Sequence, residues 1–152
     1  MEVAAAGMDG IMRAVGMLQA GDRADARADL LRLWQEWAGT DAPLQQCTIA
    51  HFLADTEDDP AAELAWDMRA LNAATGFDDD QDRDAVDPAL ANFLPSLHLN
   101  VADACRRLGE PERARRHVAS GLARAPALDE DGYGSMIRKG LERLRDRLAT
   151  ES

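Results

Sequence analysis

The chain has 152 residues, enough for one domain with a sizeable core. It carries 28 acidic against 17 basic side chains, a formal net charge of −11, and Lys139 is its single lysine. That balance argues against a nucleic-acid groove or an anionic membrane surface, both of which call for basic patches, and favours a basic or locally basic protein partner.

No apolar run approaches the length of a membrane span. The opening MEVAAAGMDG lacks the basic start and long apolar stretch of a signal peptide, so a cytoplasmic protein is expected. Cys47 and Cys105 each fall on an apolar helical stripe. They are expected to be buried free thiols that act as small hydrophobes, with no disulfide framework.

Residues Met1 to Gly7 are expected to be loosely held. Met8, Ile11, Met12, Val15 and Leu18 then recur at helical spacing up to Gly21-Asp22. A second helix is expected from Arg23 to Trp37, with Ala26, Leu30, Leu33, Trp34 and Trp37 on one face. Gly39 to Pro43 is a break with an N-cap signal. The stretch PLQQCTIAHFLADTEDDP from Pro43 aligns with PSLHLNVADACRRLGEP from Pro95, one residue longer. Pro43 pairs with Pro95, Thr48 with Asn100, Ala50 with Ala102, Leu53 with Cys105, and Pro60 with Pro111. This internal repeat needs no outside comparison. Leu64, Met68 and Leu71 continue the apolar spacing, with Trp66 on another side.

Thr75 to Asp84 interrupts the pattern, and its like charges predict a solvated loop. Asp87-Pro88 can cap a short turn over Ala89–Phe93 that leads into the clearest unit, Pro95 to Pro126. Leu94, Leu97, Val101, Ala104, Cys105 and Leu108 form the stripe of its first helix, which Gly109 ends with a positive φ. Pro111 and Glu112 suit a new first turn. Ala114, Val118, Gly121, Leu122 and Ala125 form the next stripe, closed by Pro126. Small residues at Ala102, Ala114 and Gly121 let the two helices approach, and the short loop makes them antiparallel. After the acidic Asp129–Gly132, Ile137, Leu141, Leu144 and Leu148 define a last amphipathic helix. Its outward face carries Arg138, Lys139, Arg143, Arg145 and Arg147, as suits a terminal cap.

These residues resemble the tetratricopeptide repeat family, whose helix–turn–helix unit repeats about every 34 residues. His98, Val101, Ala102 and Cys105 stand where the family's W-x2-L-G-x2-Y pattern runs. Ala114 and Val118 match its A-x3-F, Pro126 its closing proline, and Asn100 and Gly109 its favoured types. The family's aromatics are replaced by His98 and Cys105, and Arg13 stands where the first helix should carry a large apolar residue.

The resemblance implies an all-α, right-handed superhelix of three hairpins plus a capping helix. Repeats are placed at about 8–38, 43–75 and 95–126, with an acidic insertion at 76–92 and the cap at 131–149. It further implies a non-enzymatic protein-interaction scaffold that takes a peptide or helix in a concave groove. Ile11, Val15 and Leu18 would face that groove from the first repeat. Cys47, His51, Ala54 and Asp55 would do so from the second, and Leu99, Asp103, Arg106 and Arg107 from the third. Of the polar clamp that part of the family closes on a C-terminal carboxylate, only Asn100 is in place. Ile11, Cys47 and Leu99 replace clamp residues, which disfavours chaperone-tail binding.

Other chemistries find little support. Asp78, Asp80 and Asp82 alternate as at the start of an EF-hand loop, but Arg83 replaces the turn glycine and Ala89 the closing glutamate. His51 and Asp55 share a helical face one turn apart, too few ligands for a metal, while His98 lies on a packing stripe and His117 on an expected outer face. No hydrolase, Walker or dinucleotide fingerprint is present. Ser96, Ser120, Ser135 and Ser152 read as cap, surface or terminal positions. No cofactor is expected. A homodimer through exposed repeat faces or tryptophans is the second functional expectation, and a small-molecule or metal-dependent enzyme around His51 and Asp55 the third.

Overall fold

The computed structural model describes residues 7–151. The loose start expected at residues 1–6, and Ser152, lie outside the described residues. Among these residues the chain is all helical. The helices are α1 (Met8–Gln19), α2 (Arg23–Trp37), α3 (Pro43–Ala54), α4 (Pro60–Thr75), α5 (Leu94–Arg107), α6 (Pro111–Arg124) and α7 (Gly132–Thr150). Two 3-10 turns, Pro88–Phe93 and Ala125–Ala127, frame the α5–α6 hairpin.

Local chemistry sets the ends of these helices. Pro43, Pro60 and Pro111 open α3, α4 and α6, where a missing N–H costs nothing. Asp59 and Asp131 accept backbone N–H groups of Ala62 at 3.2 Å and Gly134 at 2.7 Å. Asp87 does the same for Ala89 at 2.9 Å, starting the first 3-10 turn. Gly109 takes φ +77°, and the next N–H, that of Glu110, returns to the Cys105 carbonyl at 2.9 Å to close α5.

Each helix packs on its chain neighbours, and α1 also packs on α3 and α5 on α7. The central helices α3 and α5 are covered on several sides. Cys47, Ile49, Ala50 and Leu53 of α3 are fully buried, as are Leu94, Leu97, Val101 and Cys105 of α5. Each large apolar side chain removed from water there contributes roughly 1.5–3 kcal/mol. A smaller cluster of Ala125, Leu128, Ile137 and Leu141 joins the main core through Leu99 and Leu122. Gly121 is the point of closest approach. A Cβ there would stand 2.7 Å from Leu141 Cδ2 and 3.3 Å from His98 Cβ. Trp66 is buried and meets Trp34 edge-on, with centroids 5.4 Å apart, tying α4 to α2. Met12 and Leu108, read as stripe residues, are exposed.

The acidic segment 76–87 is an exposed loop, as expected, with Asp78, Asp79, Asp82 and Asp84 open to solvent, and it is also strapped across α6. Asp80 accepts from Arg113 at 2.8 and 3.2 Å and lies 3.1 Å from His117 Nε2. Arg124 bridges Asp82, at 3.1 Å, and Asp84, and the Val86 N–H reaches the Ala74 carbonyl at 2.8 Å. Asp78 turns instead to Asn72 Nδ2 at 2.8 Å. The three alternating carboxylates therefore serve three different partners, not one shared centre. His117, expected on an outer face, is fully buried beneath this strap, and Ser120 is buried beside it on α6.

Candidate functional site

The residues expected to line a groove separate into two groups. Ile11, Val15 and Cys47 are 0–2% exposed and belong to the core, not to an open face. The helical period placed them correctly on an inner stripe, but α1 and α3 pack together and close that stripe. Leu18 is half-buried at the end of α1. The second group comes together. His51 of α3 reaches α5 through Asn100, whose Nδ2 lies 3.4 Å from His51 Nδ1, and Asp103, Arg106 and Arg107 pair with one another along α5.

This face continues onto α7. A cleft of about 370 Å³ runs between α5 and α7, lined by Leu99, Asn100, Asp103, Gly140, Arg143, Leu144 and Arg147. Gly140 makes the helices fit, since a Cβ there would stand 2.9 Å from Leu99 Cδ2. Leu99 and Leu144 supply apolar surface, while Asn100, Asp103, Arg143 and Arg147 supply polar groups. Among the described residues Arg143 takes part in no ion pair, whereas Arg147 pairs with Glu151 at 3.0 Å. The basic residues of α7 thus split. Arg143 and Arg147 face the cleft, and Arg138 is turned to the Leu128 carbonyl at 2.9 Å.

Beside the cleft lies an acidic corner. Arg107 gives Nη2 to Glu63 at 2.7 Å and Nε to Asp103 at 3.1 Å, and Arg106 meets Asp103 at 3.3 Å. Asp67 of α4 is 1% exposed, and neither of its carboxylate oxygens has a hydrogen-bond partner among the described residues. Burial, then the Glu63 and Asp55 carboxylates, push its carboxyl up to about 8; Arg107 opposes this and Asp103 adds to it. Asp55 is an exposed residue, but partial desolvation of its carboxyl still raises it, against the opposing His51, with Glu63 adding to the rise. Burial lowers His51 despite Asp55, which keeps the imidazole neutral near pH 7.

A second buried polar chain lies under the strap. Asp80 accepts from His117 Nε2, so His117 Nδ1 is an acceptor for the Nδ1–H of His98 at 3.0 Å. His98 Nε2 is buried without a hydrogen-bond partner among the described residues. Burial, reinforced by the neighbouring His117, pushes His98 down to about 4. Burial raises Asp80, but the bonds from Arg113 and His117 outweigh it and hold the carboxyl below its ordinary value.

The thiols are chemically quiet, because burial pushes Cys47 up to about 12 and Cys105 up to about 11. Among the described residues no group of three or more His, Cys, Asp or Glu is arranged to hold a metal ion, and no helix is long and apolar enough to cross a membrane.

Sequence reading missed Asp67, Glu63 and the α7 wall of the cleft. Two signals were present. Glu63 and Asp67 stand four apart on one helix, a like-charge pair that disfavours the helix unless something offsets it. Gly140, Arg143, Leu144 and Arg147 recur at helical spacing on one flank of the cap's apolar stripe. Comparison with protein-family models, curated proteins and solved structures finds no match to this chain.

Proposed function

We propose that the chain is a tetratricopeptide-like, right-handed superhelix acting as a non-enzymatic scaffold that takes a peptide segment or helix along the face of α3, α5 and α7. One observation carries the reading: the cleft between α5 and α7 combines apolar flooring from Leu99 and Leu144 with polar groups at Asn100, Asp103 and Arg143. Such a surface suits a short segment, with buried apolar side chains supplying affinity and a few placed polar groups fixing register. The α5–α6 hairpin geometry, and the packing of α1 on α3 and of α5 on α7, support the superhelical arrangement. Quiet thiols and a neutral, half-buried His51 offer no activated nucleophile, which favours a binding role over catalysis.

Replacing Asp103, Arg106 and Arg107 together with alanine tests this. Capture of a partner from the source cells is expected to fall at least tenfold while the helical circular dichroism and melting temperature hold. Unchanged capture would rule out this face. A homodimer is the second reading, favoured by Tyr133 and Met136, which are 48% and 60% exposed one turn apart at the start of α7. Light scattering showing a monomer at micromolar concentration removes it.

A further inference from the structure

We propose that the acidic corner of Asp55, Glu63, Asp67 and Asp103 is a receptor for one basic side chain, a guanidinium or ammonium group, of the partner segment. The inference rests on reading the α3–α5–α7 face as the partner-binding face, and it names the partner's chemistry there.

The observation that goes beyond a cluster of acids is Asp67. An unpaired buried carboxylate is among the most expensive groups a fold can carry, and buried polar atoms are otherwise almost always satisfied. Both Asp67 oxygens lack a hydrogen-bond partner among the described residues, and the Glu63, Asp55 and Asp103 carboxylates all act on them. Arg107 acts on Asp67, but its guanidinium N–H groups go to Glu63 and Asp103, and the neighbouring Arg106 is turned to Asp103. His51 supplies no charge, since burial keeps it neutral. The corner is thus short of positive charge by more than one unit if Asp67 ionises, and it holds a proton in its place. The resident Arg107 shows that Glu63 and Asp103 are spaced to grip a guanidinium.

Access comes from the binding face. Asp55 is exposed and Asp103 half-buried, so both can be reached from solvent, and Asp103 itself lines the cleft. The cation that enters is the basic side chain of the partner segment. Entry of that cation ionises Asp67, and the proton leaves to solvent. The exchange is one positive charge in and one proton out.

The test uses the full chain and a blocked pentapeptide, acetyl-Ala-Ala-Arg-Ala-Ala-amide, with its citrulline counterpart and free spermidine as controls, in physiological salt. Backbone NMR maps the contacts. Calorimetry at pH 7 in buffers of different ionisation enthalpy counts the protons released. The arginine peptide is expected to shift Asp55, Glu63 and Asp67, to release a fraction of a proton approaching one, and to bind at least tenfold more tightly than the citrulline peptide. Asp67→Asn is expected to abolish proton release and weaken binding at least tenfold, and Asp55→Asn, at an exposed position, at least threefold. Spermidine binding as tightly as the peptide would make the ligand a free polyamine and overturn the assignment to a partner side chain. Shifts along Leu99, Asn100 and Arg143 that leave the corner untouched would overturn this inference but keep the binding face. Shifts at the corner with proton release, but none along α5 and α7, would keep the receptor and remove the cleft. No shift at millimolar peptide, or equal binding by Asp67→Asn, would overturn the receptor.

Discussion

Asp67→Asn is expected to make the protein more stable at alkaline pH, and the size of the effect follows from the burial of the carboxyl. In the folded chain the group titrates near 8, against 3.8 in its ordinary state. Between those values the folded state keeps a proton that the unfolded state has released. Stability therefore falls as pH rises through that window, and the group's full contribution is present only below about pH 4. Each unit of separation is worth about 1.4 kcal/mol, so the window spans on the order of 5 kcal/mol, a large part of the 5–15 kcal/mol that holds a typical domain together. Asparagine keeps the shape and cannot ionise. Urea unfolding followed by tryptophan fluorescence, with Trp66 adjacent in sequence, reads the difference between wild type and variant at pH 5, 6.5, 8 and 9. The variant is expected to lead by about 1–2 kcal/mol at pH 5, where little of the window has been crossed, and by several kcal/mol more at pH 9. Parallel pH profiles, or a variant less stable at pH 9, would refute the reasoning.

His98 acts in the opposite direction. Its folded value near 4 lies below the ordinary 6.5, so its contribution is present above 6.5 and lost as pH falls toward 4, on the order of 3 kcal/mol. His98→Asn is expected to flatten that acid limb in thermal melts, and an unchanged limb would remove His98 as its cause. Gly121→Val drives a side chain into Leu141 and should cost about 2 kcal/mol by overpacking, read as a lowered urea midpoint. A neutral result would mean that α6 and α7 can separate there at little cost. Arg113→Ala should raise amide exchange across residues 78–84 several-fold and cost about 2 kcal/mol, because Asp80 loses a two-pronged partner. Equal protection in both proteins would show that the strap is held by other contacts.

The helices were legible because their signals are local. Prolines at Pro43, Pro60 and Pro111 and the glycine at Gly109 mark ends whatever the chain does elsewhere. The cross-repeat alignment of Pro43 with Pro95 found the two hairpins that form the middle of the chain. Burial was legible only as a stripe. Sequence could not say that α3 would be covered on several sides, so Cys47 passed for a groove residue and Trp66 for an outlying one. His117 failed for a related reason. Its cover comes from Asp80, 37 residues away in the chain, and a charge run reads as solvated unless its partner arginines are known to lie opposite. The candidate face was half legible. The α5 residues were found, whereas Asp67 and the α7 wall depend on which helices meet.

Site-specific photocrosslinking in the source cells tests the central claim most directly, with a benzophenone side chain placed at Asn100 or Arg143 on the face and at Arg32 on α2 as the control. Discrete covalent adducts with a partner are predicted from Asn100 and Arg143 and none from Arg32, with the adducts lost when Asp103, Arg106 and Arg107 are replaced. Adducts from Arg32 alone, or none from the face, would contradict a partner-binding role for α3, α5 and α7.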